Sequence, residues 1–166
     1  MRSYTLFEGP LRDALHRLKY NNDIGLGAAL APYLATTFFQ QSWEVDFVTA
    51  VPLSKKRQRS RGYNQAEKLA RPFAALIDKP FFPQAIRRVI DTRSQVDLSA
   101  EERRINVSGA FYANCMDITG KSVIIIDDVS TTGSTISECA RALKTSGAKC
   151  VFALTLARAP LHNPMN

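Results

Sequence analysis

A chain of 166 residues, 45% hydrophobic and 22% charged, has the make-up of an ordinary globular protein and the size of a single domain spanning 1–166 with one core. No apolar run approaches the roughly 20 residues of a membrane helix, and Met1-Arg2-Ser3-Tyr4-Thr5 lacks the apolar block of a signal peptide; both absences favour a cytoplasmic protein with no membrane insertion. Three scattered cysteines, Cys115, Cys139 and Cys150, argue against a disulfide framework and a zinc site, while a net charge of +7 suits nucleic acid or a polyphosphate.

Leu11, Leu15 and Leu18 recur at helical spacing among charged residues, so a first amphipathic helix is expected, ended by Asn21-Asn22. Leu26, Leu30, Leu34 and Phe38 form a second stripe, in which Pro32 predicts a kink or a late start. Phe47 to Val51 reads as a strand stopped by Pro52, followed by a basic loop, Lys55-Lys56-Arg57-Gln58-Arg59-Ser60-Arg61. Ala66, Leu69, Ala70, Phe73 and Ile77 predict a helix with Pro72 inside it. Residues 81–94 look like mixed strand and loop. Ser99 and Glu102 make a capping box for a short helix to about Asn106, and residues 110–113 are a candidate strand.

Val123-Ile124-Ile125-Ile126 is apolar at consecutive positions, as in a strand buried on both faces. After it come Asp127-Asp128, a turn rich in hydroxyls and glycine, and a helix with Ile136, Cys139, Ala140 and Leu143 inward, stopping at Ser146-Gly147. Val151 to Leu156 is a last buried strand. Strands alternating with helices predict an α/β fold around a parallel sheet, and ligands sit at the carboxyl ends of such strands.

The turn carries most of the chemistry. Ser130, Thr131, Thr132, Gly133, Ser134 and Thr135 offer hydroxyls and backbone N–H groups at a helix start, which suits a phosphate. Simple capping by Thr132 or Ser134 would need only one of those hydroxyls. Two carboxylates about 5 Å apart repel by roughly 3 kcal/mol at an effective dielectric near 20. Sugar hydroxyls and Mg²⁺ offset that repulsion, although a pair of solvated acids at a strand end is the plainer use. On a regular strand the two side chains point to opposite faces; both reach one sugar only if the strand ends at Asp127.

Val123 to Thr135 resembles the phosphoribosyl pyrophosphate (PRPP) motif of type I phosphoribosyltransferases. Val51 to Ala66, with its Arg61-Gly62-Tyr63-Asn64-Gln65 element, resembles the ComF/GntX branch of that superfamily. So do Leu18-Lys19-Tyr20, Arg93, Gln95, Leu98 and Arg103 to Phe111. The resemblance covers nearly the whole chain and implies the type I phosphoribosyltransferase fold, a Rossmann-like parallel sheet with helices on both faces. The ComF family usually carries a four-cysteine zinc ribbon ahead of this domain. The chain begins where that ribbon would have ended, so it is expected to be a fragment or a member without the module.

The resemblance also implies a site. Asp127 and Asp128 would meet the ribose hydroxyls as the catalytic pair, with residues 130–135 holding the 5-phosphate. No direct protein ligation of Mg²⁺ is expected beyond these two aspartates; the ion would arrive with PRPP. Leu53, Ser54, Lys55 and Lys56 are the candidates for pyrophosphate, with contact to a nucleic-acid backbone and a solvated charge run as the second and third readings of that segment. Arg93 and Arg103, near Gln95, are candidates for a lid, against surface ion pairing with Glu101 and Glu102. Tyr63, Asn64 and Gln65 either shape an acceptor pocket or, in the case of Asn64, cap a helix.

Two functions remain open on the sequence. One is Mg²⁺-dependent transfer of a phosphoribosyl group from PRPP to an unidentified nitrogen acceptor, with release of pyrophosphate. The other is a non-catalytic module that binds PRPP or single-stranded DNA, alongside competence proteins, in DNA uptake.

Overall fold

Four parallel strands, all running the same way, bring their carboxyl ends to one edge of the sheet. The computed structural model describes residues 1–90, 100–113 and 118–159, apart from the side chains of residues 100 and 103. The sheet has the order β1 (Arg2–Leu6), β6 (Cys150–Arg158), β5 (Ser122–Ser130), β2 (Phe47–Ala50). Its neighbours are in register as Arg2↔Leu154, Ser122↔Cys150 and Phe47↔Val123.

Side chains alternate across β5, and each face has its own helices. Ile124 and Ile126 pack with α1 (Gly9–Tyr20), α2 (Leu26–Phe39) and α4 (Gln65–Leu76), through residues such as Leu15, Leu18, Leu34, Leu69 and Phe73. Val123 and Ile125 face α6 (Ser134–Thr145), α5 (Ala100–Val107) and a small antiparallel pair, β3 (Ile86–Arg88) with β4 (Phe111–Ala113). Burial on both faces is why the strand reads as an unbroken apolar run rather than an alternating one.

Three local expectations change. Of the kink or late start expected at Pro32, the late start does not occur: α2 starts at Leu26 and passes through Pro32, because burying Leu30, Leu34 and Phe38 on one stripe outweighs the one backbone bond that proline removes. The basic segment after Pro52 is a helix, α3 (Lys55–Arg61), and not a loop. Ser54 caps it by accepting from the Arg57 N–H at 3.3 Å, and Gly62 closes it at φ 79°. Finally, β1 was not legible at all: it is largely exposed and exists because β6 offers it an edge.

Candidate functional site at the carboxyl edge of the sheet

Unequal strand lengths create the site. The last rung between β2 and β5 joins Ala50 to Ile126, with Val51 N–H donating to the Ile126 carbonyl at 3.0 Å. Pro52 has no N–H to continue the ladder, so the chain turns away. β5 does not stop at Asp127, as a shared sugar site on a regular strand required. It runs on through Asp127, Asp128, Val129 and Ser130, paired with β6 alone. The notch left beside these residues is a cavity of about 630 Å³. It is lined by residues 51–53, Lys19, Tyr20, Arg57, Arg61, Gln65, Arg88 and all of residues 127–136.

Parity decides what each aspartate meets. Asp127 shares the face of Val123 and Ile125, towards α6; Asp128 shares the face of Ile124 and Ile126, towards α1. Both still border the cavity, because the notch opens the edge of the strand rather than one face. Asp128 is buried, and its Oδ2 lies 2.5 Å from the Lys19 ammonium at the end of α1. Asp127 accepts the Asp128 N–H on Oδ1 at 2.9 Å. Burial, and then repulsion from Asp128, push the Asp127 carboxyl well above the usual carboxylate range. Burial works against charge on Lys19 as well, but attraction to Asp128, with a smaller contribution from Asp127, outweighs it and raises the ammonium above its ordinary value.

The turn after β5 brings backbone and hydroxyl groups to the edge of the cavity. Gly133 sits at φ 77°, in the left-handed region that favours glycine, and directly precedes α6. No side chain caps α6 through Gly133; the Thr132 and Ser134 hydroxyls bond to each other at 2.7 Å, and Thr132 Oγ1 accepts the Ser134 N–H only at 3.4 Å. The first turn of the helix therefore opens on the cavity with its positive dipole end exposed. Beside it the Ser130 hydroxyl is buried, and among the described residues it has no hydrogen-bond partner. An orphaned buried hydroxyl costs about 1–3 kcal/mol, and a phosphate oxygen in the notch would satisfy it.

The basic segment divides between the cavity and the surface. Leu53 lines the cavity, Ser54 is spent as a helix cap, and Lys55 and Lys56 are exposed on α3 outside the lining. A helix turn explains this division: positions Arg57 and Arg61, four apart, share the face that looks into the notch. Arg61 donates to Gln65 Oε1 at 2.6 Å and lies 5.3 Å over the Tyr20 ring. Asn64 caps α4, accepting from Ala66 N–H at 3.0 Å, and also donates to the Val51 carbonyl at 2.9 Å. Its side chain thus ties the exit of β2 to the start of α4. The Tyr63 hydroxyl donates to the Leu18 carbonyl, holding the end of α1 beside the site. Of that trio, Gln65 alone lines the cavity.

The candidate lid residue Arg93, with Gln95, lies outside the described residues, as does the side chain of Arg103. Lys19, Arg57, Arg61 and Arg88 are the cationic wall that residue-by-residue reading missed. For Lys19 the signal was weak: a lysine at the end of an amphipathic helix is usually solvent-facing. For Arg57 and Arg61 it was available, in Ser54 ahead of a run of good helix formers closed by Gly62.

This geometry, with acids and a phosphate-type turn at the carboxyl end of a central parallel strand, defines a class, and comparison with known proteins agrees. The phosphoribosyl transferase domain model matches residues 29–163. The DNA utilization protein YhgH of Salmonella typhi is 34% identical over 154 residues, covering 90% of this chain and 67% of the relative. Competence protein F of Haemophilus influenzae is 33% identical over 157 residues, covering 90% and 69%. Among solved structures, the glutamine PRPP amidotransferase of B. subtilis superposes with a TM-score of 0.54 at 19% identity, over 78% of this chain and 26% of that one, a likeness of fold. The chain belongs to the phosphoribosyl transferase domain family, in its ComF branch.

Proposed function

We propose that this domain binds PRPP together with Mg²⁺ and transfers the phosphoribosyl group to a nitrogen acceptor. The observation that carries this reading is the buried Ser130 hydroxyl, without a hydrogen-bond partner among the described residues, beside the glycine-led start of α6 and in the same notch as Asp127 and Asp128. One end of the notch suits a phosphate and the other suits hydroxyl donors.

The ribose 2- and 3-hydroxyls donate to Asp127 and Asp128, and residues 130–135 hold the 5-phosphate. Arg57 and Arg61 face the pyrophosphate. The nitrogen attacks the anomeric carbon as the bond to the pyrophosphate oxygen breaks, and the bonding electrons leave with pyrophosphate. The side chains position the reactants and offset developing charge, with no covalent enzyme intermediate. The aspartate oxygens are the donor type that Mg²⁺ prefers, and the ion would otherwise be held by substrate phosphates. When bound, that ion would neutralise phosphate charge, and Asp127 and Asp128 are the side chains that would hold it on the protein side.

Titrating PRPP with Mg²⁺ into the wild type and into Asp127→Asn/Asp128→Asn tests the site: the double variant is expected to bind at least about 100-fold more weakly, near 2.7 kcal/mol. Equal affinities remove the assignment. Pyrophosphate release over a panel of nucleobases then tests turnover.

A second reading keeps the pocket without the chemistry. The relatives' names speak of DNA utilization and competence, and α3 presents Lys55, Lys56 and Arg59 to solvent. On this reading the domain binds PRPP or single-stranded DNA, in company with competence proteins, in DNA uptake. No helix among the described residues is long and apolar enough to cross a membrane, and we place this work in the cytoplasm.

A further inference from the structure

The Lys19 ammonium occupies an unusual place. It is the one lysine of α1, yet its side chain is only 22% exposed, and it ends 2.5 Å from Asp128 Oδ2, on a carboxylate 5% exposed. It lines the same notch as Asp127. Holding a lysine stem this still costs side-chain entropy, so the position calls for a return. Two independent contacts fix the end of α1 there: the Tyr63 hydroxyl on the Leu18 carbonyl, and Arg61 over Tyr20. The residues on either side of Lys19 in the chain are thus anchored to the α3–α4 segment, and the ammonium is aimed at the acid pair.

We propose that Lys19 is the built-in counter-ion of the aspartate pair: it neutralises Asp128, leaves Asp127 as the anionic group open to ligand, and keeps the pair from collecting a divalent cation before PRPP arrives. This rests on the proposed PRPP site. The charge count is simple. Two ionised carboxylates carry −2, enough to attract a free divalent ion; with Lys19 inserted the trio carries −1. A metal is then drawn in only with additional phosphate charge, which PRPP brings. Asp127 and Asp128 are unequal partners on this view. Asp127 lacks a cation at contact distance among the described ion pairs, whereas Asp128 is already engaged. Lys19 acts through the carboxylates and is a positioning residue.

The test separates the two layers. Mn²⁺ alone is titrated into wild type, Lys19→Met, Lys19→Gln and Lys19→Arg and followed by electron paramagnetic resonance, which needs no PRPP. Lys19→Met and Lys19→Gln are expected to bind Mn²⁺ about tenfold or more tightly than wild type, and Lys19→Arg like wild type. PRPP affinity is then measured in EDTA and in Mg²⁺. Wild type and Lys19→Arg should depend on the metal more than Lys19→Met and Lys19→Gln do, by about tenfold, because the neutral variants already hold the metal without PRPP. If Lys19→Met fails to fold, Lys19→Gln, whose amide can still donate to Asp128, decides. Unchanged Mn²⁺ affinity in a folded neutral variant overturns the counter-ion role. If Asp127→Asn/Asp128→Asn nevertheless loses PRPP, the pocket stands and only the role of Lys19 falls. If wild type binds no PRPP while the neutral variants gain Mn²⁺, the proposed ligand is wrong and the counter-ion role stands.

Discussion

Asp127 shows how a buried acid works against the fold that carries it. Its carboxyl is held above the usual range by burial and by Asp128. An acid whose value is raised by folding contributes stability that is fully present below its unfolded value near 4 and is lost as pH rises through the folded value. Near neutral pH the ligand-free protein therefore carries a strained acid. Asp127→Asn keeps a side-chain oxygen for the Asp128 N–H and removes the charge. It should raise the melting temperature near pH 7 by roughly 2–4 °C, on the order of 1 kcal/mol, with the gap shrinking towards pH 4. A melting series across pH 4–8 checks this; a gap that widens on acidification would refute it. On the proposed function the same substitution should also weaken PRPP, so stability and binding should move in opposite directions.

At the scale of elements, two contacts hold the notch in shape. Asn64 joins the Val51 carbonyl to the first turn of α4. Asn64→Ala removes a cap and leaves a buried carbonyl unpartnered, a loss of about 2–3 kcal/mol, readable as a lower urea midpoint at unchanged slope. Gly27 lets α2 lie against α4: a Cβ there would stand 2.4 Å from the Lys68 carbonyl oxygen. Since backbone has to move to admit it, Gly27→Ala should cost about 1–3 kcal/mol, with PRPP affinity the less affected property because the contact is remote from the lined cavity. The element boundaries that resisted sequence reading lie at this scale. β5 runs past Asp127 because β6 keeps pairing with it as far as Arg158, and no local pattern around Asp127-Asp128 reports on a partner strand from elsewhere in the chain. α3 resisted for another reason: Ser54 and Gly62 bracket the helix in sequence, but nothing local says which of its basic residues face a cavity.

Across the whole molecule the +7 charge can serve two ends, and α3 divides them by face. Arg57 and Arg61 look into the notch while Lys55 and Lys56 look out. Arg57→Gln/Arg61→Gln should weaken PRPP about tenfold or more. Lys55→Gln/Lys56→Gln should leave PRPP within about twofold and, if the domain also tracks a phosphate backbone, should flatten the salt dependence of single-stranded DNA binding by roughly 0.7 per lost contact. Filter binding across a salt series reads the second effect. No binding of DNA at low salt ends the DNA reading for this domain.

Local chemistry along the chain was enough to establish the parallel α/β architecture, the buried strand with its acid pair, and the glycine turn opening α6, because each depends on periodicity or on residue types adjacent in sequence. The end of β5, the inward face of α3 and the placement of Lys19 were decided by tertiary structure alone. Each depends on a partner far away in sequence: β6 for the strand, the cavity for the helix, and, for Lys19, an aspartate 2.5 Å away in space yet separated from it by most of the chain.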